Sequence, residues 1–162
     1  MAKITNIPDT DNVLRYAKKT HLAWKPDDKG IPVVVGCFPA LFELRDNPEF
    51  NKQNNGPEKS LSVNWIEFFT GDEWQQLRQT VEDFSSARTI NRPDAFAKLS
   101  VREFKKVCRV HSAKVRIIHD AEKSKIKSHS SINQLPQDNA LLFDDLCEMA
   151  FNSLIPAAKF SV

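Results

Sequence analysis

Apolar positions along this chain fall into short bursts with two spacings. Leu61-Ser62-Val63-Asn64-Trp65 alternates apolar and polar, the period of a half-buried strand. Trp74, Leu77, Val81 and Phe84 recur at three- and four-residue steps, which places them on one face of a helix. Gly71 or Asp72 begins that helix, and the stretch from Arg88 to Pro93 ends it. A strand is expected around Ala95 to Leu99. Ser100-Val101-Arg102-Glu103 then has the capping-box pattern, in which the hydroxyl accepts an orphan backbone N–H and the acid reaches back. The helix from Val101 to Val110 buries Phe104, Val107 and Cys108 and turns Arg102, Lys105, Lys106 and Arg109 outward. Val115 to Ile118 reads as a strand, followed by an exposed loop over 121–128 and a short extended piece from His129 to Ile132. The last helix opens at Asp138 or Asn139, turns Leu142, Leu146, Met149 and Ala150 inward, and is stopped by Pro156.

The first third is less regular. Val13, Leu14 and Ala17 behind the caps Asp9, Thr10 and Asp11 predict one short helix. Lys25 to Gly30 is a turn cluster, Val33-Val34-Val35 a buried strand, and Phe38 to Arg45 a strand or a turn of helix. Residues 46–60 are polar and predict a mobile loop, as do 121–128. Short segregated elements in this order predict an α+β fold: a single two-layer domain over 1–162, with a small mixed sheet and about four helices.

Composition narrows the function classes more than it names one. With 162 residues, 41% of them apolar, the chain can close a core without metals or disulfides. Its longest apolar runs are too short to span a bilayer, and its first residues lack the apolar stretch of a signal peptide, so a cytoplasmic location is expected. Cys37, Cys108 and Cys147 are unpaired in spacing, and the latter two lie in apolar helical patterns where thiols are inert. Only four glycines exist, so no dinucleotide or Walker loop can form, and neither a cofactor nor a metal is expected. Net charge is +2, but Lys98 to Lys127 holds ten basic and three acidic residues, leaving −5 on the rest. Such an asymmetry can attract nucleic acid or an acidic protein, or simply coat a solvated surface.

His129 is the leading candidate for reactive chemistry. It lies where a basic loop meets a strand, and an imidazole can serve as general acid or base near neutral pH. Ser130 and Arg116 could hold an anionic group beside it, and His119 could assist, with Asp120 as an adjacent acid. Fixing a turn is the competing role for His129, and a polar strand end the competing role for His119. His-x-Ser before an apolar residue is also half of a two-histidine phosphoesterase motif. Neither His111-Ser112-Ala113 nor His21-Leu22-Ala23 supplies the second half. Asn64 could read a ligand edge while Trp65 fills the core, and Trp24 is the aromatic expected in an exposed loop. Lys105, Lys106 and Arg109 are the candidates for phosphate contacts.

Three stretches together, Leu61 to Phe69, Val115 to Asp120 and Ser128 to Asn139, resemble a group of small uncharacterised bacterial proteins. These share a Leu-Ser-Val-Asn-Trp strand and a Ser-His-Ser-x-Ile-x-x-Leu-Pro segment before a closing helix. The resemblance implies a bacterial, cytosolic chain and assigns no catalytic residue. Three readings follow from the residues. The first is a binding or accessory protein recognising a protein or nucleic-acid partner. The others are a small histidine-dependent hydrolase or phosphoesterase centred on His129, and a nucleic-acid-binding domain.

Overall fold

The computed structural model describes residues 4–121 and 124–160. Its framework is a seven-stranded sheet built from β1 (Thr5–Asn6), β2 (Asn12–Ala17), β5 (Leu61–Trp65), β6 (Ala95–Ser100), β7 (Arg116–His119), β8 (His129–Asn133) and β9 (Leu154–Pro156), in the order β1-β7-β8-β5-β2-β6-β9. Each of these pairings is antiparallel. A separate two-stranded ribbon joins β3 (Leu22–Pro26) to β4 (Pro32–Cys37). The helices are α1 (Pro48–Asn54), α2 (Glu73–Ser85), α3 (Val101–Val110) and α4 (Ala140–Phe151). The α+β class and the four helices therefore stand as expected.

Alternation along the strands divides the molecule into two cores. Val13, Ala97, Leu99, Leu61, Val63, Ile117 and Ile132 point to one face, where Phe104 and Cys108 of α3 and Leu142, Leu146 and Ala150 of α4 close over them. Leu14 and Phe96 point to the other face, where Leu77 and Val81 of α2 cover them. Helices thus lie on both sides, α2 adding a third layer to the two expected. It packs chiefly on the β2-β6-β9 half of its face and reaches β5 and the residue before β8 only at its end, through Asp83, so the face of β5, β8 and β7 is partly covered.

The helix caps follow the sequence pattern. Asp72 accepts from the Gln75 amide at 2.8 Å while the Gln75 side chain accepts from the Asp72 amide at 2.9 Å. Ser100 Oγ accepts from Glu103 N at 3.2 Å, only the first half of the expected capping box, and Asn139 caps α4 through Leu142 N at 3.0 Å. Helix α4 ends at Phe151, however, and Pro156 lies beyond it in β9.

Three local expectations are corrected. Val13, Leu14 and Ala17 lie in a strand, not a helix. β2 is central, so Val13 and Ala17 fill one core and Leu14 the other, and a doubly buried strand can mimic a helical stripe. The Val33–Val35 strand exists but is not buried, because β4 turns only one side to α4 and leaves Val33 and Val35 exposed. Within 46–60, α1 forms: Asn47 caps it by accepting from Phe50 N at 2.8 Å, and Pro48 sits in the first turn.

Candidate functional site

Asp120, His129 and Asn64 stand in one row across this partly covered face. In the β5–β8 register Asn64 lies opposite His129 and Ser62 opposite Ser131. Asp120 follows β7 and continues its ladder, its amide donating to the His129 carbonyl at 3.2 Å. Opposed residues of paired strands point the same way, so these side chains meet on the same side of the sheet.

Their hydrogen bonds form a directed chain. His129 Nδ1 donates to Asp120 Oδ1 at 2.9 Å, and the other carboxylate oxygen accepts from Ser131 Oγ. A donating Nδ1 leaves Nε2 as the acceptor, and Nε2 lies 3.4 Å from Ser62 Oγ, in the diagonal position on β5. Burial pushes the Asp120 carboxyl up, but the bonds from His129 and Ser131, with the charge of both neighbouring histidines, leave it below its ordinary value. It is thus the carboxylate that holds the tautomer. A serine, a histidine and an aspartate linked in this order match the arrangement that activates a hydroxyl nucleophile.

The chain opens into a cavity of about 890 Å³ bordered by Ser62, Asn64, His129, Asp120, Arg15 and Arg88. A split in the sheet makes the room. β2 and β5 pair only at Val13–Trp65 and Leu14–Asn64, after which β2 follows β6 and β5 follows β8. Arg15 reaches across the split, its Nη1 donating to the Ser62 carbonyl at 2.9 Å and its Nε to the Leu41 carbonyl at 3.0 Å. A side chain thus replaces the missing ladder bonds beside the candidate nucleophile. Asn64 is buried, and its amide donates to Ser128 Oγ at 3.1 Å. Ser128 in turn is held by Asp83 at the end of α2, which accepts from its amide at 2.8 Å and its hydroxyl at 2.6 Å.

The remaining sequence candidates separate from this site. His119 lies opposite Ser130 in the register, so both point to the other face. Although His119 borders the cavity rim, its Nε2 donates to the Lys127 carbonyl at 2.8 Å and its ring packs against Trp65 and Phe68. Ser130 is fully buried and donates to the Ser128 carbonyl at 3.0 Å, which gives it a structural place instead of an anion-binding one. Arg116 starts β7, four residues from Asp120 and so roughly 13 Å away along an extended strand. It reaches Asn6 instead, at 3.5 Å.

The basic segment likewise does not converge. Lys98 is bonded to Glu73 and Lys105 to Asp9, while Lys105, Lys106 and Arg109 ride on α3, over the opposite face from the cavity. The loop expected at 121–128 includes residues 122 and 123, which lie outside the described residues. Its Ile126 and Ser128 are buried rather than exposed. Trp24 belongs to β3 and packs partly against the first core. The thiols of Cys37, Cys108 and Cys147 are raised to about 11, 11 and 12 by burial, as inert cysteines should be.

Ser62, Asp120 and Arg15 are the residues of this arrangement that sequence reasoning does not single out together. The available signal is the polar half of the 61–65 alternation, which reads as solvent-facing. No helix among the described residues is long and apolar enough to cross a membrane, and no group of three or more metal-ligating side chains occurs among them. Neither a protein-family model, nor a curated protein, nor a solved structure matches the chain.

Proposed function

We propose that the protein is a small serine hydrolase that cleaves carboxylic esters. The observation carrying this reading is the Asp120–His129–Ser62 chain opening into the split-sheet cavity. Ser62 Oγ attacks the ester carbonyl carbon as its proton passes to His129 Nε2. Asp120 holds the ring by Nδ1 and stabilises the imidazolium that results. The tetrahedral adduct collapses, the C–O bond to the alcohol breaks, and His129 gives its proton to the departing oxygen. Water then enters, loses a proton to His129, and cleaves the acyl–Ser62 bond. The acid is released and Ser62 recovers its proton. Asn64, on the same face as Ser62, keeps one amide N–H on Ser128 Oγ, and its second N–H would meet the developing oxyanion.

The direct test is labelling with an alkyl fluorophosphonate, which loses fluoride to an activated serine. The expected result is one adduct per chain, located on Ser62 by peptide mass spectrometry. It should be lost in Ser62→Ala and strongly slowed in His129→Gln. Turnover of 4-nitrophenyl butyrate should fall by at least about 10³-fold in Ser62→Ala. A folded protein that takes no label at Ser62 and turns over no ester would overturn the reading.

A second reading, a binding protein, has one observation in its favour. Ile31, Val33 and Val35 alternate along the ribbon as exposed apolar residues, with Phe38 exposed just beyond them. That stripe is the surface on which a protein partner would dock. If so, Val35→Asp would abolish assembly without touching ester turnover, and unchanged assembly would end this reading. A nucleic-acid partner has less support, because the basic residues of 98–127 are divided between elements on different sides of the molecule.

A further inference from the structure

The cavity that holds the serine chain also holds an arginine without an anion. Arg15 is half-buried and borders the cavity, and burial lowers its guanidinium to about 10, with Glu58 opposing that shift and Arg45 adding to it. Its two recorded hydrogen bonds go to neutral carbonyls, and no carboxylate lies within ion-pairing distance of it among the described residues. The nearest acid by influence, Glu58, is occupied twice by Arg45: its Oε1 accepts from the Arg45 amide and its Oε2 from Arg45 Nη2, both at 3.0 Å. Asp120, the other carboxylate beside the chain, already accepts from His129 and Ser131. A second guanidinium, Arg88, borders the same cavity from beyond the end of α2 and has no ion pair among the described residues.

Even partial burial of a guanidinium with no carboxylate in contact is unfavourable, and such a group bordering a cavity is a candidate ligand site. The shape of what remains is informative. Guanidinium offers five N–H groups, of which Nε and one on Nη1 are committed. The remaining N–H groups, on Nη1 and Nη2, can serve a planar two-oxygen acceptor such as a carboxylate. Arg15 points with Val13 and Ala97 toward the α3–α4 side, and its Nη1 meets the Ser62 carbonyl in the split, so an anion seated there approaches Ser62 through the gap between β2 and β5.

We propose that Arg15, with Arg88 at the cavity rim, is the specificity determinant for a substrate whose acyl group carries a free carboxylate, so that the protein cleaves half-esters of short dicarboxylic acids. This rests on the serine-hydrolase reading and names its substrate class. The carboxylate binds through Arg15 and takes no part in bond making. Its binding orients the ester carbonyl toward Ser62 Oγ, a positioning effect that should show in kcat/KM.

The test compares mono-4-nitrophenyl succinate with 4-nitrophenyl butyrate, which has the same chain length without the charge. The wild-type protein should prefer the succinate ester by about 10- to 100-fold in kcat/KM, the worth of a charge-assisted bidentate contact. Arg15→Lys should erase most of that preference, read as the ratio of the two kcat/KM values within the same variant, so that any loss common to both esters from the altered hold on Ser62 cancels. Comparable rates on both esters, each dependent on Ser62, would overturn the substrate class and leave the hydrolase reading standing. Calorimetric titration with succinate and with its dimethyl ester needs neither turnover nor a variant. Binding of the dianion alone supports the carboxylate seat, even if the hydrolase reading fails. Equal or absent binding of the two refutes it.

Discussion

The two faces of β5 and β8 are built from the same two strands and do opposite work. Toward α3 and α4 the strands send Leu61, Val63 and Ile132, which are almost wholly buried, and Ser130, which is satisfied internally. Toward the other side they send Ser62, Asn64, His129 and Ser131, in register with Asp120. One face gains stability by removing apolar surface from water. The other keeps polar groups aligned because the strands that carry them are fixed by the first. What distinguishes the two is cover: α2 reaches β5 and the start of β8 only at its end, through Asp83, and the split between β2 and β5 leaves a cavity beside them. A rigid core and an open polar row are therefore one device, which is how a sheet holds a reactive constellation in place.

The largest expected effect separates the faces by function. Asp120→Asn keeps the shape of the row but lets the wrong His129 tautomer form, so ester turnover should drop by about 10⁴-fold while the fold is retained. The matching control lies near the other core, where His111 Nε2 and Asp145 Oδ2 are 2.6 Å apart, joining α4 to the end of α3. Asp145→Asn should leave kcat/KM unchanged. Equal losses in both variants, read by steady-state kinetics on protein checked by circular dichroism, would show that the row acts through stability alone.

Next in size is a break in the covered face. Phe104 is fully buried and packs 6.1 Å from Phe42, ring to ring. Phe104→Ala should cost about 3–5 kcal/mol in a urea unfolding curve, from lost burial and an unfilled cavity. Turnover per folded molecule should stay close to normal, because nothing in the row touches Phe104. A variant of normal stability, or one stable but inactive, would deny the division of labour between the faces.

Much of the covered face can be read from the chain, and little of the open one. Leu61-Ser62-Val63-Asn64-Trp65 announces its strand because alternation is local, and Asp72, Ser100 and Asn139 announce helices because caps act within three residues. β2 misleads because a central strand is apolar on both sides, so Val13 and Leu14 look like helix neighbours when they face different cores. The site is half legible. His129 stands out as a polar residue at a loop–strand junction, but its partners lie 67 and 9 residues away, at Ser62 and Asp120. Only the strand order β7-β8-β5 brings them together, and that order is set by long-range pairing that no local pattern encodes. His119 is equally prominent in sequence, and a single register step puts it on the wrong side. Arg15 is invisible for the same reason: its value comes from a gap between strands that are 47 residues apart at Ser62.

The smallest effect concerns pH and belongs to the cavity lining. His21 borders the cavity, accepts at Nδ1 from the Lys18 amide at 3.2 Å, and has its ring lowered to about 4, first by burial and then by the charges of Arg15 and Lys18. The folded state therefore resists protonating it, whereas the unfolded chain takes the proton near the ordinary value of about 6.5. Between those two values the unfolded state binds more protons, so stability is complete above about pH 6.5 and declines as pH falls toward about 4. The ring is partly open to solvent, and screening reduces the contribution to about 1–2 kcal/mol across that window. His21→Gln keeps an acceptor for Lys18 but cannot titrate. Urea midpoints at pH 7 and pH 4.5 should therefore move closer together in this variant than in the wild-type protein, while pH 7 stability stays within about 0.5 kcal/mol. A wild-type loss on acidification that the His21→Gln variant fully reproduces would assign the acid sensitivity to carboxylates instead.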